Sequence, residues 1–235
     1  MIKAILFDLD GTLLPLNEDQ FIKKYFGLIA KKGISLGFEQ ESIINTIWAG
    51  TKAMLTNDGS KTNHQAFWDT FTKVYGEESI KFNPIFDEFY KNEFKETVEC
   101  CDTNVNVRKI IEFIKENNLK IILATNPLFP KVGVLTRMSF VGLKESDFDY
   151  ITSYENSYYA KPNIHYYENI LNQFNLKTDE VIMFGNSFLD DYAPCKKLNI
   201  PINMVGDYII GENTDNVKIK SGKTEFVFNS VEPTL

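Results

Sequence analysis

The chain opens on an unbroken apolar run, Ala4 to Phe7, that stops at Asp8. A short run without polar alternation predicts a strand buried on both faces, as in a parallel sheet. Beyond Leu14 the apolar period lengthens from that of a strand to that of a helix. Phe21, Tyr25, Leu28 and Ile29 share one helical face that is expected to end before Gly33. Ile43, Ile44, Ile47 and Trp48 form a second stripe. Phe67, Phe71, Val74 and Tyr75 form a third, and Ile85, Phe86, Phe89 and Tyr90 a fourth behind Pro84. Four such helices can bury their stripes against one another, and aromatic stripes at this spacing read as core rather than as a ligand box.

From Asp102 onward helix and strand alternate, which predicts right-handed βαβ units and a parallel sheet. Val107, Ile110, Ile111 and Ile114 mark a helix, Ile121 to Ala124 a buried strand, and Pro130 to Ser139 a helix. A short strand is expected over Phe148 to Thr152 and a helix over Ile164 to Phe174. Val181 to Phe184 reads as a strand ending at Gly185, Leu189 to Leu198 as a helix, and Ile202 to Val205 as a last strand. Alternation around Ser221-Gly222 predicts a hairpin of 217–220 with 225–228. The fold class is therefore α/β, a parallel sheet flanked by helices. Residues 1–15 and 100–235 form the expected α/β core, and 16–99 an inserted helical module.

Length and composition narrow the function. At 235 residues, with 43% hydrophobic and 14% aromatic residues, the chain is globular and holds a sizeable core. A net charge of −7 speaks against a nucleic-acid or anionic-membrane surface, since both reward basic faces. Asp8 and Asp10 interrupt the N-terminal apolar run before it could serve as a signal peptide, so the cytoplasm is the expected location. Cys100, Cys101 and Cys195 give neither a disulfide framework nor zinc spacing, and His64 and His165 lack a ligand partner at helical spacing.

The chemistry collects where apolar strands end. Asp8 and Asp10 stand two apart, so on a continuing strand both face one side, and Gly11 then breaks the strand. Ionised carboxylates at the end of a buried strand need a partner or a cation. For Asp-x-Asp-Gly alone a solvated turn is an equally good reading.

The full run Asp8-Leu9-Asp10-Gly11-Thr12-Leu13 resembles the first motif of the haloacid dehalogenase superfamily. Thr125-Asn126 after the second strand resembles the second motif, Lys161-Pro162 the third, and Gly185-Asn186 with Asp190 and Asp191 the fourth. The four stand in the family's order, with the helical module between the first two, so the resemblance implies a Rossmann-like α/β core with an inserted helical cap of the C1 type. The resemblance implies a magnesium-dependent phosphatase acting on a small phosphomonoester. Asp8 would be nucleophile and metal ligand, and Asp10 would be general acid/base, lending its backbone carbonyl to the metal. Thr125, Asn126 and Lys161 would bind phosphate, and Asn186 and Asp191 would complete the metal site, with Asp190 as the secondary candidate. Asn186 departs from the pattern, because the family places an Asp there and an amide oxygen carries no formal charge.

A phosphotransferase or phosphomutase of the same superfamily is the first alternative, and a catalytically weak phospho-ligand-binding protein the second. A small phosphorylated metabolite is the expected partner, without nucleic acid or membrane. Specificity is expected from Trp48 to Lys52 and from the residues just after Leu14. Arg137 has two readings, a substrate contact or a place on a helix surface, of which the surface is the favoured one.

Overall fold

The computed structural model describes residues 1–103 and 105–219. Its single sheet holds five parallel strands: β1 (Ala4–Phe7), β2 (Lys120–Leu123), β3 (Tyr150–Ile151), β4 (Val181–Gly185) and β5 (Ile202–Met204). Their order is β3-β2-β1-β4-β5. The most apolar run thus lies at the centre: all four β1 residues are fully buried, paired to β2 on one side and β4 on the other. Chain order reverses at β1, and in open sheets of this kind ligands bind beyond the carboxyl ends of the strands at such a switch.

Alternation along β1 divides the core into two layers. Ile5 and Phe7 face α5 (Val107–Glu116) and α6 (Lys131–Phe140) through Ile110, Ile111, Ile114, Val134 and Met138. Ala4 and Leu6 face Tyr166, Tyr167, Ile170 and Leu171 of α7 (Ile164–Gln173), and Cys195 of α8 (Ala193–Leu198).

Between β1 and α5 stand α1 (Glu18–Ser35), α2 (Gln40–Leu55), α3 (Asn63–Tyr75) and α4 (Asn83–Lys91). The four stripes meet in one cluster that includes Phe21, Ile29, Ile43, Ile47, Phe71 and Phe89. At the neck of this insert, Leu16 and Cys101 form an antiparallel bridge. Asn17 N–H donates to the Cys100 carbonyl at 3.2 Å, and Asp102 N–H to the Pro15 carbonyl at 2.9 Å. The exit and return strands of the insert are therefore stitched together next to the loop that carries Asp8 and Asp10.

Several local expectations change. α1 continues through Gly33 to Ser35. Gly33 is a packing residue, because a Cβ there would stand 2.9 Å from Ile43 Cγ1. Trp48 and Val74 leave their stripes and are about half exposed. The strand at 148–152 shortens to Tyr150–Ile151, and the helix expected over 189–198 divides into a wide π-turn at Phe188–Tyr192 followed by α8. The tail hairpin lies outside the described residues except at 217–219, which form no strand. No described helix is long and apolar enough to cross a membrane.

Candidate active site

The register of the sheet brings three strand ends to one place. Phe7 pairs with both Leu123 and Phe184, so Asp8, Thr125 and Asn186 emerge side by side. Asp8 N–H donates to the Phe184 carbonyl at 2.9 Å, and Ala124 N–H to the Phe7 carbonyl at 2.7 Å, which carries the ladder to the edge of the site. The chain then folds back tightly, with Leu14 N–H on the Leu9 carbonyl at 2.8 Å and Gly11 N–H on the Leu14 carbonyl at 2.7 Å. Gly11 has φ +80°, and a Cβ there would fall 2.0 Å from Asn186 Nδ2. Both backbone conformation and space require glycine at this position.

Lys161 is 1% exposed, and its ammonium bridges two carboxylates: Asp8 Oδ1 at 2.8 Å and Asp191 Oδ1 at 2.6 Å. Asp191 is wholly engaged. Its Oδ1 also accepts from the Tyr167 hydroxyl at 3.2 Å, and its Oδ2 accepts from the Asn186 and Ser187 N–H groups, each at 3.1 Å. Gly185 makes room for this, since a Cβ there would lie 2.4 Å from the Asp191 carboxyl carbon. The π-turn at 188–192 is what swings Asp191 back under its own loop.

Asp191, nominated as a metal ligand, has both carboxylate oxygens hydrogen-bonded, one of them to Lys161. Asp190 Oδ2 accepts from Asn126 Nδ2 at 3.1 Å, while Asn126 Oδ1 accepts from the Lys161 N–H at 3.2 Å. Asn126 thus ties together the loops that bear Lys161 and Asp190. Thr125, 2% exposed, is held by its carbonyl, which accepts from Thr152 Oγ1 at 2.7 Å and the Tyr166 hydroxyl at 2.9 Å. Asn186 Nδ2 donates to the Tyr208 carbonyl at 2.6 Å, so its amide oxygen is turned away from that carbonyl.

Arg137 overturns its expectation. It is 2% exposed, and its Nη1 donates to Asp10 Oδ2 at 2.5 Å. Its guanidinium carbon lies 4.3 Å from the centre of the Phe129 ring, within cation–π range. Asp10 Oδ1 and Arg137 Nε and Nη2 are buried without hydrogen-bond partners. The sequence held a signal: Val134, Arg137, Met138 and Val141 follow the i, i+3, i+4, i+7 spacing of a buried stripe. Tyr166, Tyr167, Thr152 and Tyr208 also serve the site, and nothing in their local sequence marks them.

These charges perturb one another. Burial pushes the Asp8 carboxyl up to about 7 despite the opposing pull of Lys161, and Asp191 and Asp10 add to the rise. Burial likewise raises Asp10, against Arg137 and Lys161. Burial opposes the charge on Lys161, but Asp191 and Asp8 outweigh it and hold the ammonium well above its ordinary value. Asp8, Asp10, Asp190 and Asp191 share this end of the cavity with Lys161 and Arg137 as the cations among the described residues. Such under-compensated negative charge, surrounded by oxygen donors, suits a hard divalent cation. No cluster of three or more His, Cys, Asp or Glu side chains stands ready for a metal among the described residues. The fit rests instead on the Asp8 carboxylate, the Asp10 carbonyl and the Asn186 amide oxygen, with Asp190 the acid left beside them.

The site forms the floor of a cavity of about 640 Å³ that extends between the helices of the insert. Leu16, Trp48 and Thr51 lie on its wall, within the stretches expected to set specificity.

Solved structures place this arrangement among known folds. A HAD phosphatase from Thermococcus onnurineus superposes with a TM-score of 0.62 at 16% identity, covering 98% of each chain. A 2-haloacid dehalogenase from Pseudomonas syringae gives 0.62 at 16% identity, covering 100% of this chain and 99% of that one. A HAD family enzyme from Bacteroides thetaiotaomicron gives 0.53 at 15% identity, covering 91% and 97%. No curated protein sequence matches. At these identities the likeness is one of fold, and the fold hosts more than one chemistry. The family itself follows from the sequence model of haloacid dehalogenase-like hydrolases, which matches residues 5–205, from within β1 to just past β5, and the chain belongs to that family.

Proposed function

We propose that the chain hydrolyses a phosphomonoester with magnesium, through an aspartyl-phosphate on Asp8. The observation that carries this reading is the pairing of Asp8 with Asp10. Lys161 holds Asp8 by Oδ1 alone, and a second acid stands two residues further on at the same cavity floor. Transfer of a phosphoryl group needs both a nucleophile and a proton donor for the leaving oxygen, whereas displacement of a halide needs no such donor.

In the first step an Asp8 oxygen attacks phosphorus, the bond to the leaving oxygen breaks, and Asp10 gives that oxygen a proton. In the second, Asp10 takes a proton from water, the water oxygen bonds to phosphorus, and the bond to Asp8 breaks to release phosphate. Thr125 and Asn126 supply neutral donors to the phosphoryl oxygens, and Lys161 supplies a compact charge. A bound magnesium ion would offset the repulsion between Asp8 and the phosphoryl oxygens. It would be held by Asp8, the Asp10 carbonyl and Asn186, with Asp190 nearby. Asp191 keeps Lys161 in place.

Arg137 helps keep Asp10 ionised against burial, which suits the base role of the second step. Turnover of an aryl phosphate with added magnesium and with a chelator tests the reading. Activity that needs magnesium and is lost in Asp8→Asn supports it, and activity that survives either change refutes it.

A further inference from the structure

The cavity above the phosphate floor has walls unlike those a hydroxylated metabolite requires. Close-packed interiors hold few voids larger than a water molecule, yet here a space of about 640 Å³ runs from the carboxylates up between α1, α2, α3 and α4. Phe21, Phe26, Ile47, Trp68, Phe71 and Phe86 line it. The polar groups on these walls are turned to one another. The Tyr25 and Tyr90 hydroxyls share a hydrogen bond at 2.9 Å, Trp68 Nε1 donates to the Tyr154 hydroxyl at 3.5 Å, and Thr51 Oγ1 donates to the Ile47 carbonyl of its own helix at 2.9 Å. Glu18, the one charged side chain the insert contributes to the lining, interacts with Asp10 and Asp190 and so belongs to the polar floor.

The outer lining is apolar too. Ile22, Trp48, Leu55, Leu189 and Ile210 all line this cavity and are each more than a third exposed, and Trp48 stacks on Phe26 with ring centres 4.6 Å apart. Exposed apolar side chains that line one cavity mark a binding surface.

We infer that the substrate is the phosphomonoester of an apolar alcohol or phenol, its phosphate on the Asp8 floor and its alkyl or aryl body among the aromatic helices of the insert. This rests on the phosphatase reading and narrows it. Among the described wall residues the free donors left are one O–H of the Tyr25–Tyr90 pair and that of Tyr154, so a sugar phosphate would leave most of its buried hydroxyls unpaired, at about a tenfold loss of affinity for each. Each buried methylene instead gains about fourfold.

The test is kcat/KM across three arms, all kept monomeric in solution: n-butyl, n-hexyl and n-octyl phosphate; phenyl and naphthyl phosphate; glycerol phosphate and glucose phosphate. The expected result is a rise of about fourfold per methylene along the alkyl arm. Naphthyl should exceed phenyl, and the octyl or naphthyl ester should exceed both polar esters by more than a hundredfold. Whichever of these two arms rises more steeply identifies the body as alkyl or aryl. Trp48→Ser, at a half-exposed position that does not threaten folding, is expected to flatten the alkyl series at its long end. A flat or falling series, with Asp8-dependent hydrolysis of the polar esters intact, overturns the substrate class and leaves the phosphatase reading standing. If no ester is hydrolysed, the phosphatase reading fails by itself. Calorimetric binding of the matching alkylphosphonates then decides the inference: affinity that climbs with chain length upholds it, and affinity independent of length overturns it.

Discussion

Replacing Arg137 by Met removes a buried charge while keeping most of the side-chain volume, so it isolates the electrostatic role of the Asp10–Arg137 pair. Arg137 is 2% exposed, and the Asp10 side chain 25% exposed. Removing one partner of a fully buried ion pair costs about 3–5 kcal/mol, because the other charge is left without compensation. Asp10 keeps partial access to solvent, which places the expected loss near the lower limit, at about 3 kcal/mol. With a urea slope of about 2 kcal/mol/M, the unfolding midpoint falls by about 1.5 M.

Asp10→Asn and the double variant complete a cycle, in which a coupling of about 2 kcal/mol is expected for directly bonded side chains. The pH dependence gives a second check. Burial raises the Asp10 carboxyl and Arg137 opposes it, so in the variant the ionised carboxylate is penalised without relief. The deficit is therefore largest at high pH and shrinks as acid protonates Asp10. A loss below about 1 kcal/mol, or a coupling near zero, would refute the claim that Arg137 acts through Asp10.

Two further predictions concern the frame around the site. Asn63 is fully buried, donates from Nδ2 to the Pro127 and Tyr159 carbonyls at 3.2 and 3.3 Å, and accepts from Asn57 Nδ2 at 2.9 Å. Asn63→Ala unties α3 from the loops that follow Asn126 and precede Lys161, and is expected to cost about 2–3 kcal/mol in urea unfolding; a loss under about 0.5 kcal/mol contradicts that role. The Asp147 carboxylate pairs with Arg108, lies 3.3 Å from Lys115 Nζ, and accepts from the Lys144 N–H at 2.8 Å. Burial alone would raise it, but these donors more than offset burial and hold it below its ordinary value. A depressed carboxyl contributes stability above its unfolded pKa of about 3.9, and that contribution is lost as pH falls through the folded value. Asp147→Asn is therefore expected to lower the thermal midpoint at pH 7 and to converge with the parent in acid below about pH 3.9; a deficit that persists in acid rules out the charge as its cause.

Period and order made much of the fold legible. β1 and β4 are apolar throughout, β2 carries three buried apolar residues behind Lys120, and the insert helices carry stripes whose buried members meet in one cluster. What stayed hidden depends on tertiary approach. Gly33 looks like a helix stop in one dimension, and only the proximity of Ile43 shows it to be a contact. The candidate site follows the same division. Asp8, Thr125 and Asn186 were legible because each ends or follows an apolar strand, and parallel register aligns those ends.

Asp190 and Asp191 are adjacent, and only the π-turn decides which one meets Lys161 and which meets Asn126. The aromatic stripes predict core, and their rings are core, but the same rings also wall a cavity. Spacing fixes which residues share a helical face and does not fix whether the opposing faces close completely.

The proposed function rests on covalent phosphorylation of Asp8 during turnover. Acid quenching of the protein during hydrolysis of an aryl phosphate with magnesium present, followed by intact mass and peptide analysis, reads this directly. A transient gain of one phosphoryl group, located on the peptide that contains Asp8 and missing in Asp8→Asn, is the expected result. Sustained hydrolysis by Asp8→Asn, or a phosphoryl group found on another residue, would contradict it.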